Sequence, residues 1–406
     1  MDIKTIGGGI TAPKGFKASG IRCGVRKNKE KRDLALIFSE TDCAAAAVYT
    51  TNRVKASPVY VTMENLESGR ARAMICNSGN ANACAPNGYE YARRTCAALA
   101  KCAGIAENEI IIASTGVIGV ELNVAAVENG MRELVDSLSG DGTDDAAEAI
   151  MTTDTRKKII AVEFEIGGRP VRVAGVAKGS GMINPNMATM LAFITTDAAI
   201  DPELLHEALS ESVKKTFNRV SVDGDTSTND MCAVMASGLA GNGPIDRKDD
   251  AYRAFAEALT HVNTYLAKSV ARDGEGATRL VSCRVFRSRS EESAEKLAKA
   301  VISSSLVKSM MFGADANWGR ILCAMGYSKA PFRPEYVDVS FVSAAGTMPV
   351  CKNGAGLEFD EAAAKAVLSE DEVTIDVNVN EGEYEATAWG CDLTYEYVKI
   401  NGDYRT

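Results

Sequence analysis

Apolar and polar positions along the 406-residue chain repeat with two periods. Runs rich in β-branched residues and bounded by Gly, Asn or Asp predict strands. They begin with LALIFS at Leu34, ARAMICN at Ala71, EIIIAS at Glu109, KKIIAVEFEI at Lys157 and VRVAGVA at Val171. MLAFITT at Met190, MCAVMAS at Met231, TRLVSCRVF at Thr278, YVDVSFV at Tyr336 and VTIDVNV at Val373 continue the series. A helical period marks Tyr89 to Ala103, Asn123 to Leu138, Pro202 to Lys215, Asp249 to Val270 and Ser290 to Ser304. Asp201-Pro202 opens the third of these as a capping residue followed by a first-turn proline. Strands in succession with helices to cover them predict a layered α/β or α+β architecture. The polar stretch Arg287 to Ser293 suggests a change of domain.

Composition narrows the chemistry. The chain is 46% hydrophobic and 24% charged, with a net charge of −9. That balance carries no electrostatic footprint for nucleic acid or an anionic membrane. No apolar signal core opens the chain and no apolar run is long enough to span a bilayer, so a cytoplasmic location is expected. The 11 cysteines are scattered without a CxxC pair, which reads as small core side chains rather than a disulfide framework or zinc site. There are 2 histidines, His206 and His261, both inside helical patterns. An acyl-transfer enzyme of this composition would take its base from somewhere other than imidazole.

The most unusual segment is AKGSGMINPNMATMLAFITTDA, Ala177 to Ala198. A loop rich in Gly, Asn and Pro runs directly into a buried strand pattern, with Ala188-Thr189 between them. Local pattern leaves two readings of Thr189. It is a β-branched residue opening a strand, or it is a nucleophile. In the second reading the chain breaks at Ala188-Thr189 by an N→O acyl shift and hydrolysis of the ester. The freed α-amine, with a pKa of about 7.7–8, then serves as base to the hydroxyl of the same residue. Acyl transfer also needs oxyanion donors. Thr115 and Gly116, in EIIIASTGVIG, offer a hydroxyl and a backbone N–H, although taken alone the segment reads first as a simple strand-to-helix turn with a capping Ser or Thr.

Several segments together resemble the ornithine acetyltransferase family of arginine biosynthesis, also called the bifunctional glutamate N-acetyltransferases. They are KGSGMINPNMATML, CNSGNANAC, ASTGVIG, AIMTTDT, SVDGDTSTND, RDGEGATR, GADANWGR and the terminal NGDYRT. The resemblance implies an N-terminal-nucleophile-like sandwich of central sheets covered by helices, with a smaller C-terminal α/β domain. It implies a precursor cut into residues 1–188 and 189–406, assembling as an α2β2 heterotetramer, with a core over about residues 1–287 and a smaller unit over 288–406.

The resemblance places the nucleophile at Thr189 and the oxyanion pair at Thr115 and Gly116. Substrate contacts fall on Thr152 (or its neighbour Thr153), Lys178, Thr189, Glu275, Asn401 and Thr406, so the chain's tail must fold back into the site. Lys178 suits a substrate α-carboxylate and Glu275 an ornithine ammonium. The implied reaction moves acetyl from N2-acetylornithine to glutamate through an acetyl-threonine ester. Acetyl-CoA is allowed as a second donor, and no bound cofactor or metal is required. A self-cleaving aminopeptidase or amidase is the alternative enzyme, and a non-catalytic amino-acid-binding protein the alternative from another class. CNSGNANAC is expected to be a structural loop, and GADANWGR to bury Trp318 at a turn.

Overall fold

The computed structural model describes residues 2–28, 30–184 and 190–402. Ala188, Thr189 and Thr406 lie outside these described residues.

The layered mixed α/β expectation holds. Among the described residues, nine strands form the first sheet. Its order runs Lys4–Thr5, Lys158–Ile166, Arg169–Lys178, Leu191–Thr196, Met231–Ala236, Leu34–Tyr49, Arg70–Asn80 and Ile110–Val117, with Phe16–Ile21 also paired to Leu34–Tyr49. Leu34–Tyr49 is long and irregular between Phe38 and Cys43, so it can serve neighbours at both of its ends. Its alanine run, Ala44 to Ala47, is buried throughout. Small side chains there let covering helices approach on both sides. Helix Pro202–Lys215 and helix Asp250–Arg272 share one core with the strands, and helix Thr143–Ile150 shares the core of the opposite face.

A second sheet of seven strands among the described residues has the order Ala355–Gly356, Gly346–Lys352, Asp338–Ser343, Glu372–Asn378, Leu280–Ser288, Tyr384–Cys391 and Val220–Ser221. Helices Glu291–Ser303, Ser305–Gly313, Trp318–Gly326 and Glu361–Leu368 pack on it around a separate apolar cluster. Helix starts follow their caps. Asp201 accepts the Glu203 N–H at 2.9 Å ahead of Pro202, and Ser290 accepts the Ser293 N–H at 3.1 Å. Both histidines sit exposed on helices, as expected. Trp318 departs from expectation. It is half-buried, and it opens a helix against Gly356 instead of lying buried in a turn. No helix among the described residues is long and apolar enough to cross a membrane.

Two strand pairings set the position of the site. Lys178, last in its strand, pairs with Leu191, and Leu191 pairs with Met231 on the other side. The chain just after residue 189 therefore enters the middle of the first sheet beside Lys178.

Candidate active site

A cavity of about 130 Å³ opens at this sheet end, and its wall includes Thr115, Gly116, Thr152, Thr153, Lys178 and Glu275. Asn401 also lines it. The six described residues expected from sequence, and Thr153 as the alternative to Thr152, thus line one cavity, from positions as far apart as 115 and 401.

Thr115 and Gly116 come from the end of strand Ile110–Val117. Gly116 faces Gly79 in the neighbouring strand at φ +133°, and a Cβ there would run into the backbone of Gly79 and Asn80. Only glycine fits that close approach. The strand end is braced from below. Ser114 donates its hydroxyl to Asn77 at 2.6 Å, and the Asn77 amide donates to the Asn80 carbonyl at 2.9 Å. Asn229 donates to the carbonyls of Ala81 (2.6 Å) and Ser114 (2.8 Å). CNSGNANAC is expected to be a loop; instead Cys76 to Asn80 end strand Arg70–Asn80, paired along Ile110–Val117, and only Ala81 to Cys84 leave the sheet, with Asn82 and Cys84 left-handed.

Lys178 is buried, and its ammonium donates to the Thr115 hydroxyl at 3.3 Å. Thr152 and Thr153 both reach the wall. The Thr153 hydroxyl is bonded to the Ser180 hydroxyl at 2.6 Å, while the Thr152 N–H donates to Asp154 at 2.9 Å. Glu275 is buried, and its N–H donates to the Ser180 carbonyl at 2.9 Å. A Cβ on Gly181 would collide with the Glu275 carboxyl, so that close contact also depends on glycine. Asn401 lies on helix Tyr395–Gly402, and its amide donates to Glu275 at 2.7 Å. Tyr397 of the same helix stands by Asp223; burial first, then Asp223 and Glu275, push its phenol above the usual range.

The loop entering the undescribed residues 185–189 is tied down on its near side. Asp223 accepts the N–H groups of Met182 (2.6 Å) and Ile183 (2.8 Å). Burial raises the Asp223 carboxyl, and those backbone bonds offset part of the rise. Thr226 donates to the Asn184 carbonyl at 2.9 Å. On the far side, the Met190 carbonyl accepts the Met231 N–H at 3.1 Å. Ile183 and Met190 both line the cavity.

Sequence reasoning missed Ser227, Asn229 and Asp230, which share the wall, and Asp154 behind it. SVDGDTSTND was noted as a motif without a role. Its density of hydrogen-bonding side chains in ten residues was the available signal.

Hydroxyl groups, one buried ammonium and carboxylates meet around a cavity at a sheet end, the arrangement of a small-molecule enzyme site. Comparison with known proteins agrees. The ArgJ family model matches residues 17–406. Arginine biosynthesis bifunctional protein ArgJ of Symbiobacterium thermophilum is 52% identical over 403 residues, 99% of each chain. ArgJ 1 of Clostridium acetobutylicum is 50% identical over 398 residues, 98% of this chain and 97% of its own. A solved argJ structure from Bacillus halodurans is 46% identical at TM-score 0.51, covering 53% of this chain and 100% of that one. The chain belongs to the ArgJ family.

Proposed function

We propose that this enzyme transfers the acetyl group of N2-acetylornithine to glutamate, giving ornithine and N-acetylglutamate in arginine biosynthesis. One observation carries the reading: Lys178, Thr115 and Glu275 share a single cavity, with the Lys178 ammonium on the Thr115 hydroxyl. An N-acetylated amino acid with a cationic side chain needs a cation for its carboxylate, an anion for its ammonium and donors for its acetyl oxygen. The cavity holds all three kinds of group.

Thr189 is the nucleophile in this reading. Its hydroxyl attacks the acetyl carbonyl, and its own α-amine takes the proton. Thr115 O–H and Gly116 N–H receive the oxyanion. The C–N bond to ornithine then breaks, the departing amine takes up the proton, and an acetyl-threonine ester remains. The glutamate amine attacks that ester, restoring the threonine and giving N-acetylglutamate. Thr152, Lys178, Glu275, Asn401 and Thr406 hold the substrates. The bifunctional names of the relatives favour acetyl-CoA as a second donor to the same threonine, with no bound cofactor. Full-length kinship with arginine-biosynthesis proteins favours an amine over water as acceptor.

Cleavage before Thr189 frees the α-amine. Ile183 and Met190, on either side of the segment, line the same cavity as Thr115 and Gly116, which supports a cut at that place. Fragments 1–188 and 189–406 would stay together. Leu191–Thr196 and Met231–Ala236 lie in the middle of a sheet whose other strands precede the cut. Separation would unzip the ladder to Arg169–Lys178 on one side and the ladder to Leu34–Tyr49 on the other. An α2β2 heterotetramer in the cytoplasm completes the reading.

The test is product analysis with both substrates. Ornithine and N-acetylglutamate should appear in equal amounts, and free acetate in place of N-acetylglutamate would establish hydrolysis. Intact-mass measurement should show the two fragments. A single uncut chain with full activity would sink the Thr189 mechanism, as would acetyl transfer by Thr189→Ala.

A further inference from the structure

Thr152, Thr153, Lys178 and Glu275 are among the polar residues of the cavity wall and come from three separate stretches. Thr152 and Glu275 lie outside any strand or helix, so no backbone ladder fixes them relative to Lys178. A chain of buried charges does so instead. The Asp154 carboxylate accepts the Thr152 N–H at 2.9 Å, the Gly179 N–H at 2.7 Å and the Lys158 ammonium at 2.7 Å. Lys158 also donates to Asp273 at 2.6 Å. Asp273, two residues before Glu275, accepts the Thr155 N–H at 3.1 Å and the Thr155 hydroxyl. The Asp154 and Lys158 side chains are fully buried, and Asp273 is nearly so.

The charges in this chain do not balance among the three residues alone. Two carboxylates face one ammonium, and a buried carboxylate without a counter-charge is costly. Asp273 has Arg156 at 3.8 Å on its solvent side. Asp154 is offset by Lys178, whose ammonium acts on it alongside that of Lys158. Asp154 thus bonds the peptide next to Lys178 through the Gly179 N–H and also attracts the Lys178 charge.

We propose that Asp154 is the positioning residue for Lys178, holding the peptide that follows it through the Gly179 N–H so that the ammonium stands beside Thr115 and the substrate carboxylate meets a preset cation. The proposal rests on Lys178 being the carboxylate contact. Substituting Asp154 should therefore weaken substrate binding chiefly through Lys178, because the Thr152 N–H can still donate to the Oδ1 of an asparagine and Lys158 keeps Asp273.

A double-mutant cycle on the mature enzyme tests this, with KM and kcat measured for N2-acetylornithine and glutamate. Asp154→Asn should fold, because Lys158 keeps Asp273 as its partner, and a thermal melt checks that. Asp154→Asn and Lys178→Gln should each raise both KM values by about tenfold or more, the range for a lost charge-assisted bond, with smaller effects on kcat. The double variant should match Lys178→Gln within about twofold, since coupled residues are not additive. Additive losses in the double variant would show that Asp154 is merely structural and overturn the proposal. Unchanged KM values in Lys178→Gln alone would overturn both the proposal and the assignment of Lys178. If Asp154→Asn is insoluble, Asp154→Glu keeps the charge but shifts it by one methylene, and the same cycle applies.

Discussion

The Asn401 amide donates to the Glu275 carboxylate at 2.7 Å, joining residues 126 positions apart. This bond draws the C-terminal helix onto the loop that carries Glu275. It also occupies one of the two carboxylate oxygens.

Glu275→Gln should therefore separate the two substrates. Glutamine keeps the shape and can still bond Asn401, but it loses the charge offered to an ornithine ammonium. The KM for N2-acetylornithine should rise about tenfold or more, while that for glutamate stays the same or falls. Steady-state kinetics with each substrate varied in turn checks this. An equal rise for both would mean that Glu275 acts on the shape of the cavity and not on the ornithine charge.

Thr115→Val removes one oxyanion hydroxyl at nearly constant volume. The loss should fall on kcat, by about 10²- to 10³-fold, as for other single oxyanion donors, with KM little changed. Single-turnover acetylation of the enzyme by N2-acetylornithine is the direct measurement. The same substitution also deprives Lys178 of its bond at 3.3 Å, so a large KM effect in place of a kcat effect would move Thr115 from the oxyanion to the binding shell.

Asp154 predicts a pH dependence of stability. Burial alone would raise its carboxyl, but the Lys158 and Lys178 ammoniums, with bonds from Lys158 and Thr152, hold it well below the usual carboxylate range. A carboxyl lowered by folding contributes stability that is present above its unfolded pKa of about 3.9 and lost as pH falls toward the folded value. The gap in urea midpoint between the parent protein and Asp154→Asn should therefore be full near neutrality. It should narrow as the pH drops below about 4. A gap that widens in acid would contradict the sign.

Much of the framework was legible because it is local. β-Branched runs located ten strands, and Asp201-Pro202 placed the start of helix Pro202–Lys215. Strand Phe16–Ile21 escaped because FKASGI has little alternation, and its sheet position comes from pairing with Leu34 to Ser39. Helix Thr143–Ile150 escaped because TDDAAEAI is short, and the helix is held by its packed alanines. Gly116 was legible as a glycine that could approach a ligand. That it must be glycine depends on Gly79 in the next strand, which only pairing reveals.

By itself the sequence located ten of the strands and five of the helices and, through its ordered motifs, pointed to the family and nominated the site residues. The tertiary structure decided which of those residues meet: Lys178 with Thr115, Asn401 with Glu275, and Asp154 with Lys158 and Asp273. The physical reason is range. Periodicity and capping act within a few residues, whereas a buried charge finds its partner only once the sheet has brought distant strand ends to one place.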